Sequence, residues 1–130
     1  MINMKKISTF NHDLWDHGIS QGFRVDGTIY ISGQFSHDSE GTFIGEGNIE
    51  AQTRQTLANL DLVLEGFNIT RSNLAYLEIY LTNAQEHTGP AIGIFKEYME
   101  EHRPAGSLIG VDHLASPEQL IEISAIAYTD

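Results

Sequence analysis

The sequence predicts an α+β fold, one sheet with two helices packed on a single face. Three observations carry it. Apolar residues alternate with period two over Leu74 to Leu81 and again over Gln119 to Thr129, the spacing of half-buried strands. Ile49, Thr53, Thr56, Leu57, Leu60, Val63, Leu64 and Phe67 recur instead at helical spacing. The chain is 130 residues long and 41 % hydrophobic, enough for one domain spanning 1–130 with a core that needs no covalent staple.

Taken in order, Met1 to Gly18 is polar and aperiodic and reads as an irregular N-terminal arm. Phe23 to Val25 and Thr28 to Ser32 read as two strands around Asp26-Gly27, a pair that tolerates the positive φ of a tight hairpin. Glycines at 41, 45 and 47 punctuate a loop. Asn48 then offers an N-cap to the first helix, with Gly66 as a left-handed stop. Leu74 to Leu81 is a strand with Ala75, Leu77, Ile79 and Leu81 on one face. Thr88 is expected to cap a second helix with Pro90 in its first turn, where a missing amide hydrogen costs nothing. Arg103-Pro104-Ala105-Gly106 ends that helix. Ser107 to Leu114 and Gln119 to Thr129 complete the order β-β-α-β-α-β-β.

Two helices cover only one side of such a sheet. The opposite face carries Tyr30, Ser32, Tyr76, Glu78, Tyr80, Leu120, Glu122, Ser124, Ile126 and Tyr128. It is neither a dry core nor a charged solvent face, and aromatic, semi-polar surfaces of this kind characterise subunit interfaces. A homo-oligomer is the expectation.

Composition excludes several functions. Seven Lys and Arg stand against 18 Asp and Glu, a net charge of −11 that repels phosphate backbones and anionic membranes. With no cysteine there is no disulfide, thiolate or iron–sulfur chemistry. No apolar run is long enough to span a bilayer, and the start lacks the apolar stretch of a signal peptide. A soluble, cytoplasmic protein without nucleic-acid or membrane partners is expected.

The candidate chemistry centres on Glu122, the only charge in the most apolar strand. Desolvated at an interface, such a carboxylate rises in pKa toward general-base or water-holding use; at a sheet edge it is simply solvated, the commoner case. His12 and His17 flank Asp13 and Asp16, but a five-residue spacing does not bring two histidines to one helix face, and no metal site is expected. The loop glycines precede a helix, yet Glu46 among them and the lack of a following lysine argue for a turn over a phosphate cradle. Ser32-Gly33-Gln34 ends a strand, either as a pocket wall or as an ordinary glycine bend.

Four blocks, in order, resemble the RidA/YjgF family: Ile31-Ser32-Gly33-Gln34, Ile49 to Leu60, Arg103-Pro104-Ala105-Gly106-Ser107, and Ile121 to Ala127. The likeness runs from about Ile19 to Ala127. It implies a chorismate-mutase-like α+β fold and a homotrimer with clefts between neighbouring subunits. It also implies cofactor-independent hydrolysis of reactive imines and enamines to ketones and ammonia, with no metal. In familiar members a glutamate in the last strand holds the attacking water, and that position falls on Glu122. The pocket wall falls on Ser32, Gly33 and Gln34. The arginine that clamps a substrate carboxylate falls on Gly106, next to Ser107, so the clamp is absent. An aromatic lining the cleft falls on Ile19, and a helix asparagine near Ile92.

A guanidinium grips a carboxylate with two charge-assisted bonds, so its loss removes about 2–5 kcal/mol of binding. Small α-imino acids are therefore not the expected substrates; Arg24, Arg103 and His113 are the candidates for a replacement cation. The expected function is hydrolysis of another C=N metabolite. The alternative is a catalytically silent module that binds or senses a small molecule in the intersubunit cleft. An endoribonuclease, a label some relatives carry, is disfavoured by the charge.

Overall fold

The computed structural model of the chain describes residues 5–13 and 16–130; Met1–Met4, Leu14 and Trp15 of the expected arm lie outside the described residues. The elements are β1 (Ile7–Phe10), β2 (Gly22–Val25), β3 (Thr28–Gln34), α1 (Ile49–Gly66), a 3-10 turn (Arg71–Asn73), β4 (Leu74–Thr82), α2 (Ala84–Met99), β5 (Ala105–Val111) and β6 (Ile121–Tyr128). They build one six-stranded mixed sheet in the order β1-β2-β3-β6-β4-β5. Only β4 and β5 run parallel, because α2 is the crossover between them. Part of the polar arm is thus a strand: β1 pairs antiparallel with β2 along its length.

The core lies between the sheet and the two helices. Ile29 and Ile31 of β3, Leu77, Ile79 and Leu81 of β4 and the odd-numbered residues 121–127 of β6 meet Leu57, Leu60, Val63 and Leu64 of α1 and Ala91 and Ile94 of α2. Asn48 caps α1 as its side chain suggests, its Oδ1 accepting from the Ala51 amide at 3.0 Å.

Four expectations need correction. Gly66 is the last residue of α1 and not its left-handed stop; the positive φ falls on Asn68 at 59°. Gly66 instead makes room for Phe10 of β1, whose ring a Cβ there would overlap. Ala75 is exposed and Leu74 is fully buried, the reverse of a straight alternation. The cause is a bulge: Leu74 opposes Ala127 while Tyr76 opposes Ile126, so one extra residue flips the strand's first side chain. The second helix starts at Ala84, with Asn83 at φ 47° as its N-cap. Thr88 lies within it, its hydroxyl donating to the Ala84 carbonyl at 2.6 Å, and Pro90 is interior. Finally, β5 begins at Ala105, so Gly106 is a strand residue.

Candidate functional site

On the uncovered face Glu122 of β6 stands opposite Tyr80 of β4. Its position is fixed from the other side by β3. Between Ile31, paired with Ala125, and Gln34, paired with Ile123, β3 holds one residue more than β6. That bulge comprises Ser32 and Gly33, and the Glu122 carboxylate lies over Gly33 where a Cβ would overlap it. Gln119 Nε2 donates to Glu122 Oε1 at 3.2 Å. The Tyr80 hydroxyl is held above its usual pKa range by burial first, then by Glu78 beside it and more weakly by Glu122. It stays a neutral phenol among carboxylates.

The other residues singled out beside Gly33 have defined roles. Ser32 donates from its hydroxyl to the Ser20 carbonyl at 2.7 Å, and from its amide to the Gln21 carbonyl at 2.8 Å. This ties down the segment that carries Ile19, which is 69 % exposed. Gln34 is buried; its Nε2 donates to the Ser32 carbonyl at 3.0 Å and its Oε1 lies 2.9 Å from His12 Nε2. Ser32, Gly33 and Glu122 thus meet at the bulge, while Gln34 follows it as a buried residue paired with Ile123, and Ile19 stands one residue before the segment that Ser32 holds.

Gly106 and Ser107 form a second group. They lie on β5, two strands from β6, which at sheet spacing is roughly 10 Å away. Gly106 pairs with Leu77, and the Leu77 carbonyl oxygen would be 2.9 Å from a Cβ at 106. A small apolar hollow of about 110 Å³ opens beside it, lined among others by Ile92, Phe95, Pro104 and Leu108. Ser107 Oγ lies 3.1 Å from the Tyr76 hydroxyl.

The two candidate arginines among the replacement cations each donate to backbone carbonyls. Arg24 donates from Nε to the Asp26 carbonyl at 2.8 Å. Arg103 turns back onto the end of α2, donating to the carbonyls of Glu100 and His102 at 2.5 and 2.9 Å. His113 is exposed after β5.

A larger hollow, about 640 Å³, lies between the C-terminal ends of the helices. Its one guanidinium is committed. Arg71 meets Asp61 at 2.8 and 3.2 Å, donates to the Tyr98 carbonyl at 2.8 Å and stacks 3.9 Å over the Tyr98 ring. We read that hollow as structural packing, because its central charges already satisfy one another.

Gln52 was not singled out by sequence reasoning, yet it positions the site. From α1, fully buried, it donates to the carbonyls of Gly45 and Glu118 at 3.0 Å and accepts from the Leu120 amide at 2.8 Å. It thereby fixes the turn that feeds β6 two residues before Glu122. Asn59, seven residues on, donates to the carbonyls of Phe35 and His37 and anchors the chain leaving β3. Two amides seven apart on the helix stripe that carries Leu57, Leu60 and Val63 are the signal that could have found them.

The Endoribonuclease L-PSP family matches residues 16–129. A RutC family protein of Pyrococcus horikoshii is 31 % identical over 111 residues, 85 % of this chain and 86 % of that one. The 3-aminoacrylate deaminase RutC of Acinetobacter baylyi is 29 % identical over 106 residues, 81 % of this chain and 82 % of that one. Among solved structures, the Rid-family protein YyfA of Yersinia pestis superposes with a TM-score of 0.87 at 28 % identity, covering 95 % of this chain and all of that one. The chain belongs to the Endoribonuclease L-PSP family, the RidA/YjgF/UK114 group that its four sequence blocks resemble.

Proposed function

We propose that the protein is a cofactor-independent hydrolase of reactive imines or enamines, with Glu122 as the residue that holds and activates water. The observation carrying this reading is the seat of Glu122 on the bulge at Gly33, beside Gln119 and Tyr80. A deaminase name among the relatives points the same way. In the reaction Glu122 accepts a proton from water as the oxygen bonds to the C=N carbon, and the π electrons move to nitrogen. Protonation of the nitrogen and collapse of the carbinolamine then break the C–N bond, releasing ammonia and the ketone.

The full site is proposed to form between copies of the chain in a homotrimer. Two half-sites on one chain support this: the Glu122 group and the Gly106–Ser107 group lie two strands apart. The substrate class is proposed to lack an α-carboxylate. Gly106 offers no cation, and the hollow beside it is walled by Ile92, Phe95 and Leu108. A net charge of −11 also disfavours RNA as substrate.

The test is ammonia release from imines generated in situ, comparing α-imino acids with their uncharged amide or ester counterparts. The uncharged series is expected to be turned over at least tenfold faster in kcat/KM, and Glu122→Gln is expected to abolish turnover. Turnover untouched by Glu122→Gln would overturn the mechanism. A preference for the free acids would overturn the substrate class. No turnover at all would leave the cleft as a binding module.

A further inference from the structure

The two oxygens of the Glu122 carboxylate have different surroundings. Oε1 accepts from the Gln119 side-chain amide at 3.2 Å. Oε2 lies over the bulge and is the first atom that a Cβ at Gly33 would meet. Which end of the Gln119 side chain faces Glu122 is settled by the turn before β6. Ser116-Pro117-Glu118-Gln119 closes with the Gln119 amide donating to the Ser116 carbonyl at 3.1 Å, and Pro117 takes the second position, where its fixed φ suits a turn. The Gln119 side chain bonds back to the same turn, its Oε1 accepting from the Ser116 amide at 2.8 Å. A backbone N–H can only donate, so the side-chain atom at Ser116 is the carbonyl oxygen and the group turned to Glu122 is the NH2. This is the return half of a capping box, Ser-x-x-Gln, made on a turn instead of a helix.

Gln119 has little freedom to turn. It is buried, and Gln52 of α1 grips the backbone on both sides of it, donating to the Glu118 carbonyl at 3.0 Å and accepting from the Leu120 amide at 2.8 Å. Pinned along its backbone and at its side-chain oxygen, it presents a fixed donor to Glu122. A donor on an ionised carboxylate makes a charge-assisted bond, stronger and more directional than one between neutral groups. That bond commits Oε1 and sets the plane of the carboxylate.

We propose that Gln119 is a positioning residue of the site: by holding Glu122 Oε1 it makes Oε2 the oxygen that takes the proton from water. The role rests on the hydrolase reading of Glu122. As the water oxygen bonds to the C=N carbon, its O–H bond breaks, the π electrons move to nitrogen and the proton comes to Oε2. That proton goes on to the nitrogen, giving the neutral carbinolamine and restoring the carboxylate. Gln119 acts on the carboxylate and not on the substrate, so its loss should appear in kcat and leave KM in place.

The test is steady-state hydrolysis of the uncharged imines by the native chain, Glu122→Gln, Gln119→Glu and Gln119→Met. Glutamate at 119 keeps an oxygen for the Ser116 amide, and with it the turn, but when ionised has no hydrogen to give Glu122. Methionine fills a similar volume with neither group. In mildly alkaline buffer both substitutions are expected to lower kcat about tenfold or more with KM little changed. A residue that only braced the turn would spare Gln119→Glu and penalise Gln119→Met, so a native kcat in Gln119→Glu would overturn the proposal. Crystal structures of the native chain and Gln119→Met provide a readout besides activity. The Glu122 carboxylate is expected to rotate or leave Gly33 in the variant, and an unmoved carboxylate would overturn the proposal even where kcat falls. A native chain that turns over no imine would remove the hydrolase reading and this role with it. An active native chain, an inactive Glu122→Gln and a fully active Gln119→Glu would remove the role of Gln119 alone.

Discussion

At the scale of single residues, the decisive contact is the one between Gly33 and Glu122. Any side chain at 33 enters the space of the carboxylate, and a carboxylate can swing away where a strand cannot. Gly33→Ala is therefore expected to leave the fold intact, with a melting temperature within a few degrees of native. It should lower kcat/KM for imine hydrolysis at least tenfold, which corresponds to about 1.4 kcal/mol. Unchanged kinetics would mean that the seat of Glu122 does not matter. A second residue prediction concerns Tyr98, whose hydroxyl donates to Asp61 Oδ1 at 2.7 Å. Burial first, and Asp61 second, raise its pKa well above the ordinary tyrosine value of about 10. A raised folded pKa means that the folded state keeps a proton the unfolded state loses. The stabilisation is therefore complete below pH 10 and is lost above it, at up to about 1.4 kcal/mol per pH unit. Chemical denaturation at pH 8 and pH 11 should show a steep alkaline loss in the native protein and a shallower one in Tyr98→Phe. Glu122 stands out in the sequence as a lone charge in an apolar strand, but its seat on the Gly33 bulge does not, because apolar alternation carries no sign of the extra residue. The stacking of the His12 ring on His37 was not legible either, because the connection between β3 and α1 brings the two together.

At the scale of elements, strands and helices were legible wherever the apolar period ran unbroken. Local irregularities hid the rest. The bulge at Ala75 exchanges two apolar residues between faces, and apolar alternation reads the same either way. The first turn of α2, Ala84 to His87, has no apolar stripe, so Pro90 looked like a helix start; the His87 ring instead ties that turn to the Thr82 carbonyl at 2.6 Å. The short β1 went unseen because its burial rests on one residue. Phe10 packs edge-on against Phe67 with centroids 6.2 Å apart, in the space Gly66 leaves. This gives a prediction with an unusual sign. Alanine is a better helix former than glycine by about 1 kcal/mol, so Gly66→Ala ought to strengthen α1. The overlap with Phe10 should instead release β1, and amide exchange at residues 7–10 should accelerate at least tenfold while α1 stays protected. Slower exchange, or a more stable protein with β1 in place, would show that β1 is held by its ladder to β2 alone.

At the scale of the whole molecule, the uncovered sheet face is the surface that fits a partner. Tyr30 and Tyr128 on it are about half exposed, and a hollow of about 220 Å³ runs from Tyr30 to Glu78. The proposed trimer covers this face, at the cost of bringing together chains that each carry a net charge of −11. Apolar and aromatic burial favours assembly, and charge repulsion acts over a Debye length of about 10 Å at 0.1 M salt and about 30 Å at 0.01 M. Assembly should therefore strengthen as salt is added, the opposite of an interface made of ion pairs. Light scattering is expected to give three times the chain mass of 14.5 kDa at 0.15 M salt, with smaller species appearing as salt falls toward 0.01 M. Ile126→Lys, at the centre of the face, should shift the equilibrium to monomer without unfolding the chain, because Ile126 points away from the helix-packed core. A monomeric mass for the native chain at every salt concentration would remove the trimer, and with it the intersubunit site. A stable trimer that ignores both salt and Ile126→Lys would place the interface on some other face.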